Sequence, residues 1–332
     1  MKLFKTTIIS LSIIVAGSIL LVLNFSEDYR NMIKDEITSR GYQPSSEVQN
    51  SAESLSLTKY SDRLLRASRT QFDDAQQFNT SCADLTYNQE SSRLLGCYAN
   101  NKIYVYDITN PDLENSEKVT LAHELLHAGW QRLSSKEKLK IKDKLNQQLS
   151  SGISEDTQKA IQVYKDRNLS EENLANEIHS ILATDEPNLS PELENYYSKF
   201  FKDRKVIASL NLSVVSVFKD VEKQMESHKN NLDDLGTKID DIQNKIKLNN
   251  SEYDRLVAVA NAKLDAGDYS GYNALVIPIN AIVSANQSLD TSQQELISSY
   301  NTNVAEFNKL IEKYNLLNDS LDSRSAEKIK IK

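Results

Sequence analysis

Two histidines four residues apart, with a glutamate directly after the first, form the run His123-Glu124-Leu125-Leu126-His127. On a helix, positions i and i+4 share one face, so both imidazoles can reach a single Zn²⁺ while Glu124 points into the adjoining cleft. The chain holds only four histidines, which makes this spacing informative. A helix with an incidental histidine pair is the plain alternative. Catalytic zinc chemistry requires a third protein ligand and a fourth position left for water.

A third histidine soon after the motif is ruled out, because the residues there are Ala128-Gly129-Trp130-Gln131-Arg132-Leu133. The remaining candidate is Glu177. Leu174, Glu177, Ile178 and Ile181 fall at i, i+3, i+4 and i+7, so Glu177 projects from an otherwise apolar helix stripe. An unpaired carboxylate on such a face is costly to bury, and a metal removes that cost. The alternative is a carboxylate at the edge of the stripe, reaching water.

His123-Glu124-x-x-His127 followed by Asn176-Glu177-x-x-Ser180 resembles the Glu-type zincins, the thermolysin-like metallopeptidases. The resemblance implies that His123, His127 and Glu177 hold zinc and that Glu124 is the general base. It spans roughly residues 60 to 205, and only the two short motifs are specific. The interval from His127 to Glu177 is longer than in thermolysin, and no Asp follows Ser180. These departures point to a compact membrane-anchored branch.

The mechanism implied is hydrolysis of a peptide bond by zinc-activated water, with Glu124 taking the proton and passing it to the leaving amine. A further donor must stabilise the oxyanion. Tyr197 and Arg204 follow the third-ligand segment and are available, while His179, at i+2 from Glu177, faces away from it. Ordinary packing is the better account of these residues, and none is assigned a catalytic role.

Upstream, Arg93–Ala99 and Lys102–Asp107 are rich in aromatic and β-branched residues and flank Asn100-Asn101, the pattern of a β-hairpin. In zincins a strand of this kind lies beside the motif helix and pairs with extended substrate. An ordinary hairpin without a ligand role fits the same residues, and Lys102–Asp107 is the segment an inhibitor would test.

Thr6 to Phe25 carries no charge, and its length suffices for a hydrocarbon core of ~30 Å. Lys2 and Lys5 precede it and Glu27 and Asp28 follow, so the expectation is an uncleaved anchor with a cytoplasmic N-terminus and an extracytoplasmic remainder. In an oxidising compartment Cys82 and Cys97, the only cysteines, read as a disulfide; a reducing one would leave two thiols. Net charge is −8, so no basic surface for nucleic acid is indicated.

The expected fold is mainly α: an α+β peptidase core with a small β-hairpin or sheet, plus a long antiparallel coiled-coil hairpin. Gly41 to Ser56 reads as a linker or loop, followed by a helix near Thr58 to Phe72. Ser134-x-x-Glu137 is a capping-box pattern, Ser151-Gly152 a break, Ser170 a cap for the helix carrying Glu177, and Ser190-Pro191 the start of a helix that continues for a long stretch.

Heptad spacing then takes over. Val214, Phe218, Val221, Met225, His228, Leu232, Leu235 and Ile239 begin one seam, which runs to Ala260. Past Gly267 and Gly271, a second seam runs from Leu275 to Leu321. His228 sits in the seam as a packing residue, Asn249, Asn286 and Asn303 set register, and Pro278 caps or kinks the second arm.

The expected organisation is 1–26 anchor, 27–57 juxtamembrane helix and linker, 58–210 peptidase domain, 211–325 coiled-coil hairpin and 326–332 basic tail. The function expected is a membrane-anchored zinc metallopeptidase acting on a peptide or protein substrate, with a protein partner at the coil. The competing class is a surface scaffold whose zinc site is vestigial or structural. A hydrolase of cell-wall crosslinks would use the same residues.

Overall fold

Side-chain caps mark the N-termini of most helices in the computed structural model, which describes residues 27–83 and 94–325. In chain order the elements are α1 (Glu27–Ser39), α2 (Ser46–Ser54), α3 (Lys59–Ala67), β1 (Gln71–Asp73), α4 (Ala75–Ser81), β2 (Gly96–Ala99) and β3 (Lys102–Tyr106). A 3₁₀ turn, Pro111–Leu113, leads into α5 (Glu114–Trp130), α6 (Ser135–Ser151), α7 (Glu155–Lys165), α8 (Glu171–Asp185), α9 (Pro191–Tyr197), α10 (Arg204–Asp265) and α11 (Tyr269–Ser320). The fold is mainly helical with one small sheet and a long helical hairpin. Ser134 and Glu137 form the reciprocal capping box at α6, and Ser154, Ser170 and Ser190 cap α7, α8 and α9 through their side chains.

The expected anchor, Thr6–Phe25, and the basic tail lie outside the described residues. Among the described residues no helix is long and apolar enough to cross a membrane.

The chain divides into two units, one comprising Met1–Val217 with Leu317–Lys332 and the other Phe218–Leu316. In the first, α5 packs against α2, α3, α8 and the sheet. Leu121, Leu125 and Leu126 of α5, Ile181 and Leu182 of α8, and Ile103 and Val105 of β3 meet in one apolar core. Each fully buried side chain of this size contributes about 1.5–3 kcal/mol.

Three expectations are corrected here. Gly41 to Ser56 is not a loop: Ser45 caps α2, and Val48 and Leu55 are buried. The helix near Thr58 ends at Ala67, and Phe72 instead lies in β1, which pairs parallel to β3. The helix begun at Pro191 stops at Tyr197. Tyr197, Phe200 and Phe201 are all buried, and the adjacent pair Phe200 and Phe201 cannot both lie on one narrow helical stripe, so the chain turns before α10 begins.

The sheet order is β1-β3-β2, with β2 antiparallel to β3 through the Asn100-Asn101 turn. Both asparagines have positive φ, 52° and 61°, which the two-residue hairpin turn requires.

In the second unit, Phe218 to Ala260 and Leu275 to Tyr314 present the expected seam positions as the buried or half-buried ones, flanked by exposed neighbours. Asn249 Nδ2 donates to Asn286 Oδ1 at 2.8 Å, and His228 Nδ1 lies 2.9 Å from Asn303 Oδ1. The seam polar residues thus satisfy one another across the hairpin, which pins its register. Pro278 does not cap the second arm: α11 begins nine residues earlier, at Tyr269, and runs through it.

Candidate metal centre

His123 and His127 lie on α5, and their shared face looks onto α8, from which Glu177 projects. Glu177 Oε2 lies 3.5 Å from His123 Nε2 and 3.6 Å from His127 Nε2. One donor atom from each of the three falls within 4.8 Å of the others. Glu177 Oε2 is buried and has no hydrogen-bond partner.

That oxygen is the test of whether a metal fits. Bonds of about 2.0–2.1 Å to a tetrahedral Zn²⁺ put ligand atoms about 3.3–3.4 Å apart. The two spacings to Glu177 are a few tenths of an ångström larger and longer than good hydrogen bonds, and the whole donor set falls within 4.8 Å. Two imidazoles and one carboxylate are a donor set that Zn²⁺ accepts. The group could hold a divalent cation, and the donor chemistry suits zinc.

Glu124 occupies the next position of α5 and lines the same cleft, only 6% exposed. Burial drives its carboxyl up to about 7, with Glu177 adding to the rise and His127 and the Tyr98 backbone N–H opposing it. Glu177 is also disfavoured as an anion by burial, but His127 and His123 outweigh that and hold its carboxyl below the usual range. The two carboxyls of one cleft are thereby pushed in opposite directions, Glu124 up and Glu177 down.

The approach of β2 to Glu124 depends on Gly96. A Cβ there would lie 2.5 Å from Thr120 Cγ2 and 2.8 Å from Glu124 Cγ. On the other side of α5, a Cβ at Gly129 would lie 2.3 Å from Phe200, so that glycine lets the aromatic cluster close against the motif helix.

The sheet also relocates the strand available to a ligand. Lys102–Tyr106 is central, flanked by β1 and β2, and has no open edge for substrate. Among the described residues β1 and β2 are the edge strands, and β2 is the one that borders the cleft. Leu95 accepts a hydrogen bond from Tyr106 and Cys97 stands opposite Tyr104, so the backbone groups of Gly96 and Tyr98 point away from β3. Gly96, Cys97 and Tyr98 line the cleft. Cys97 is disulfide-bonded to Cys82, which ties β2 to the end of α4. Arg132 secures β2 further: it donates to the Tyr98 hydroxyl at 2.6 Å and pairs with Asp35 of α1 at 3.0 Å.

The residues weighed for oxyanion stabilisation are placed elsewhere. The Tyr197 hydroxyl donates to the His179 carbonyl, and Arg204 is engaged by Glu194 and by the carbonyls of Ala183, Glu186 and Pro187. His179 is fully buried among Trp130, Tyr196, Tyr197 and Phe200, with Nε2 3.0 Å from the Tyr196 hydroxyl. Burial holds its imidazole well below the ordinary range, so it is neutral. Ser180, next in sequence, has its hydroxyl 3.4 Å from His127 Nδ1 and helps orient that ring.

Two cleft residues are invisible to motif reasoning. Tyr164, at the end of α7, and Arg167, in the turn that follows, line the cleft of about 220 Å³ with His123, Glu124, His127 and Glu177. Burial, reinforced by the Glu177 and Glu124 charges, pushes the Tyr164 phenol up and keeps it protonated. The only sequence signal for Tyr164 is its place three residues after the buried Ile161 on α7.

No family model matches the chain, and neither the curated proteins nor the solved structures yield a match.

Proposed function

We propose that the chain is a zinc-dependent metallopeptidase, with His123, His127 and Glu177 as metal ligands and Glu124 as general base. The observation that carries this reading is the buried Glu177 Oε2, without a hydrogen-bond partner and facing both Nε2 atoms of the histidine pair. Bound zinc would supply a Lewis acid that polarises a peptide carbonyl and acidifies water. Glu124 takes the proton of the attacking water and returns it to the leaving amine, a task its carboxyl near 7 suits. Tyr164, which lines the cleft and keeps its phenol protonated, is the candidate donor to the developing oxyanion. Among the described residues no strand pairs with the outer side of β2, and an extended peptide could meet its backbone there.

Anchoring by Thr6–Phe25 places this activity outside the membrane in the same reading, and the disulfide suits an oxidising compartment. The coiled-coil hairpin would serve as a docking arm for a protein partner. In the competing reading the hairpin does the work and the metal is structural. A structural site has no use for Glu124, which is not a ligand.

The test is zinc content together with hydrolysis of an unfolded protein. One zinc per chain is expected in both wild type and Glu124→Gln, with cleavage lost in the variant. Cleavage that persists in Glu124→Gln refutes the assigned base, and absence of zinc from the wild type refutes the centre.

A further inference from the structure

The cleft contains one permanently charged cation among its described residues, Arg167. Its guanidinium carbon sits 4.6 Å from the centre of the Tyr164 ring, a stacked position that fixes the side chain over the cleft wall. Arg204, buried, and Arg132, half-buried, are each neutralised by a carboxylate. Arg167 has no ion pair and no side-chain hydrogen bond among the described residues, and its charge is felt at Glu177. A cation in Glu177's coordination would absorb that residue's negative charge and leave the guanidinium uncompensated.

The contact is local, three residues apart at the end of α7, and it holds the half-buried guanidinium at the cleft. The surroundings matter as well. The chain carries net charge −8 and Glu124 and Glu177 line the same cleft, so an acidic ligand is repelled unless a local cation receives it. The five donors of a guanidinium match a carboxylate in a bidentate pair, and partial removal from water strengthens the match.

We propose that Arg167 reads a carboxylate on the substrate, so that the cleft selects peptides presenting an acidic group close to the scissile bond. This rests on the peptidase reading and names its substrate class. The carboxylate has two sources, the C-terminus of a short peptide or an acidic side chain within a longer one, and both present the same chemistry to the guanidinium.

The experiment uses the full chain and two pairs of fluorescent peptides. One pair differs only in a free or amidated C-terminus, the other only in an internal Glu or Gln. Kd is measured on the Glu124→Gln protein, which reads binding without turnover, and kcat/KM on wild type. One acidic peptide is expected to bind about 10- to 100-fold more tightly than its neutral twin, and the pair that discriminates identifies the source. Arg167→Gln should abolish the discrimination while leaving the neutral peptide's Kd within twofold, and Arg167→Lys should restore part of it. Equal Kd values within both pairs, no binding of any peptide, or discrimination that survives Arg167→Gln overturns the proposal. Turnover without discrimination removes this inference and leaves the peptidase intact. Discrimination without turnover removes the peptidase and leaves a carboxylate-binding cleft.

Discussion

Zinc should stabilise the first unit, and Glu177→Gln should remove that stabilisation. Glu177 Oε2 already stands within a few tenths of an ångström of tetrahedral spacing from each imidazole nitrogen, and the three donor atoms lie within 4.8 Å of one another, so side-chain adjustment alone can close the site. Free zinc at a hundred times Kd contributes about 2.7 kcal/mol by mass action. A unit of about 150–250 residues shifts its Tm by about 2–4 °C per kcal/mol, so the expected rise is about 5–11 °C over protein in chelator. Differential scanning calorimetry on the full chain reads this directly, because the first unit should melt separately from Phe218–Leu316, whose transition has no reason to move. In Glu177→Gln the amide cannot supply the anionic ligand, and the rise should fall below about 2 °C at the same zinc concentration. Two results refute the reasoning: a wild-type Tm indifferent to zinc, or a Glu177→Gln rise equal to that of wild type.

Gly96→Ala should cost about 1–3 kcal/mol and depress hydrolysis, since the new methyl meets Thr120 and Glu124; measured Tm and kcat check it, and Thr120→Ser in the same chain should recover part of the loss. Asp35→Ala should destabilise the first unit by about 3 kcal/mol in urea titration, because Arg132, its side chain only 12% exposed, loses its counter-charge and with it a fixed position against Tyr98. Burial, with Asp107 adding to it and the Ile108 N–H opposing it, lifts the Glu117 carboxyl to about 7, above its unfolded value. The folded state therefore holds a proton the unfolded chain has released, and stability should fall as pH rises from about 4.5 to 7. The slope from this group is at most about 1.4 kcal/mol per pH unit, less where water screens it. Glu117→Gln should flatten the profile by that amount, and an unchanged urea profile across those pH values counts against the assignment.

Much of the molecule is written in local pattern. The capping serines, the Asn100-Asn101 turn, the heptad seam and the i, i+4 histidine pair each depend on residues within one or two turns of one another, and their spacing is dictated by backbone geometry. Glu177 was legible for a related reason, as a carboxylate on an apolar stripe. Short elements were not. The three residues of β1 bear no alternation long enough to read, and the helix Ser46–Ser54 is polar apart from Val48 and Ala52, so a loop matched its composition equally well.

The sequence by itself determined that a HExxH helix, a stripe-borne glutamate and a two-armed coil exist, because each is a periodicity of the chain with itself. Only the tertiary structure decided that α5 and α8 bring Glu177 onto both imidazoles, that β3 is flanked on both sides while β2 borders the cleft, and that Tyr164 and Arg167 enter the cleft while Tyr197 and Arg204 do not. These are contacts between residues far apart along the chain, set by which helix faces pack together, and no spacing within a single element encodes them.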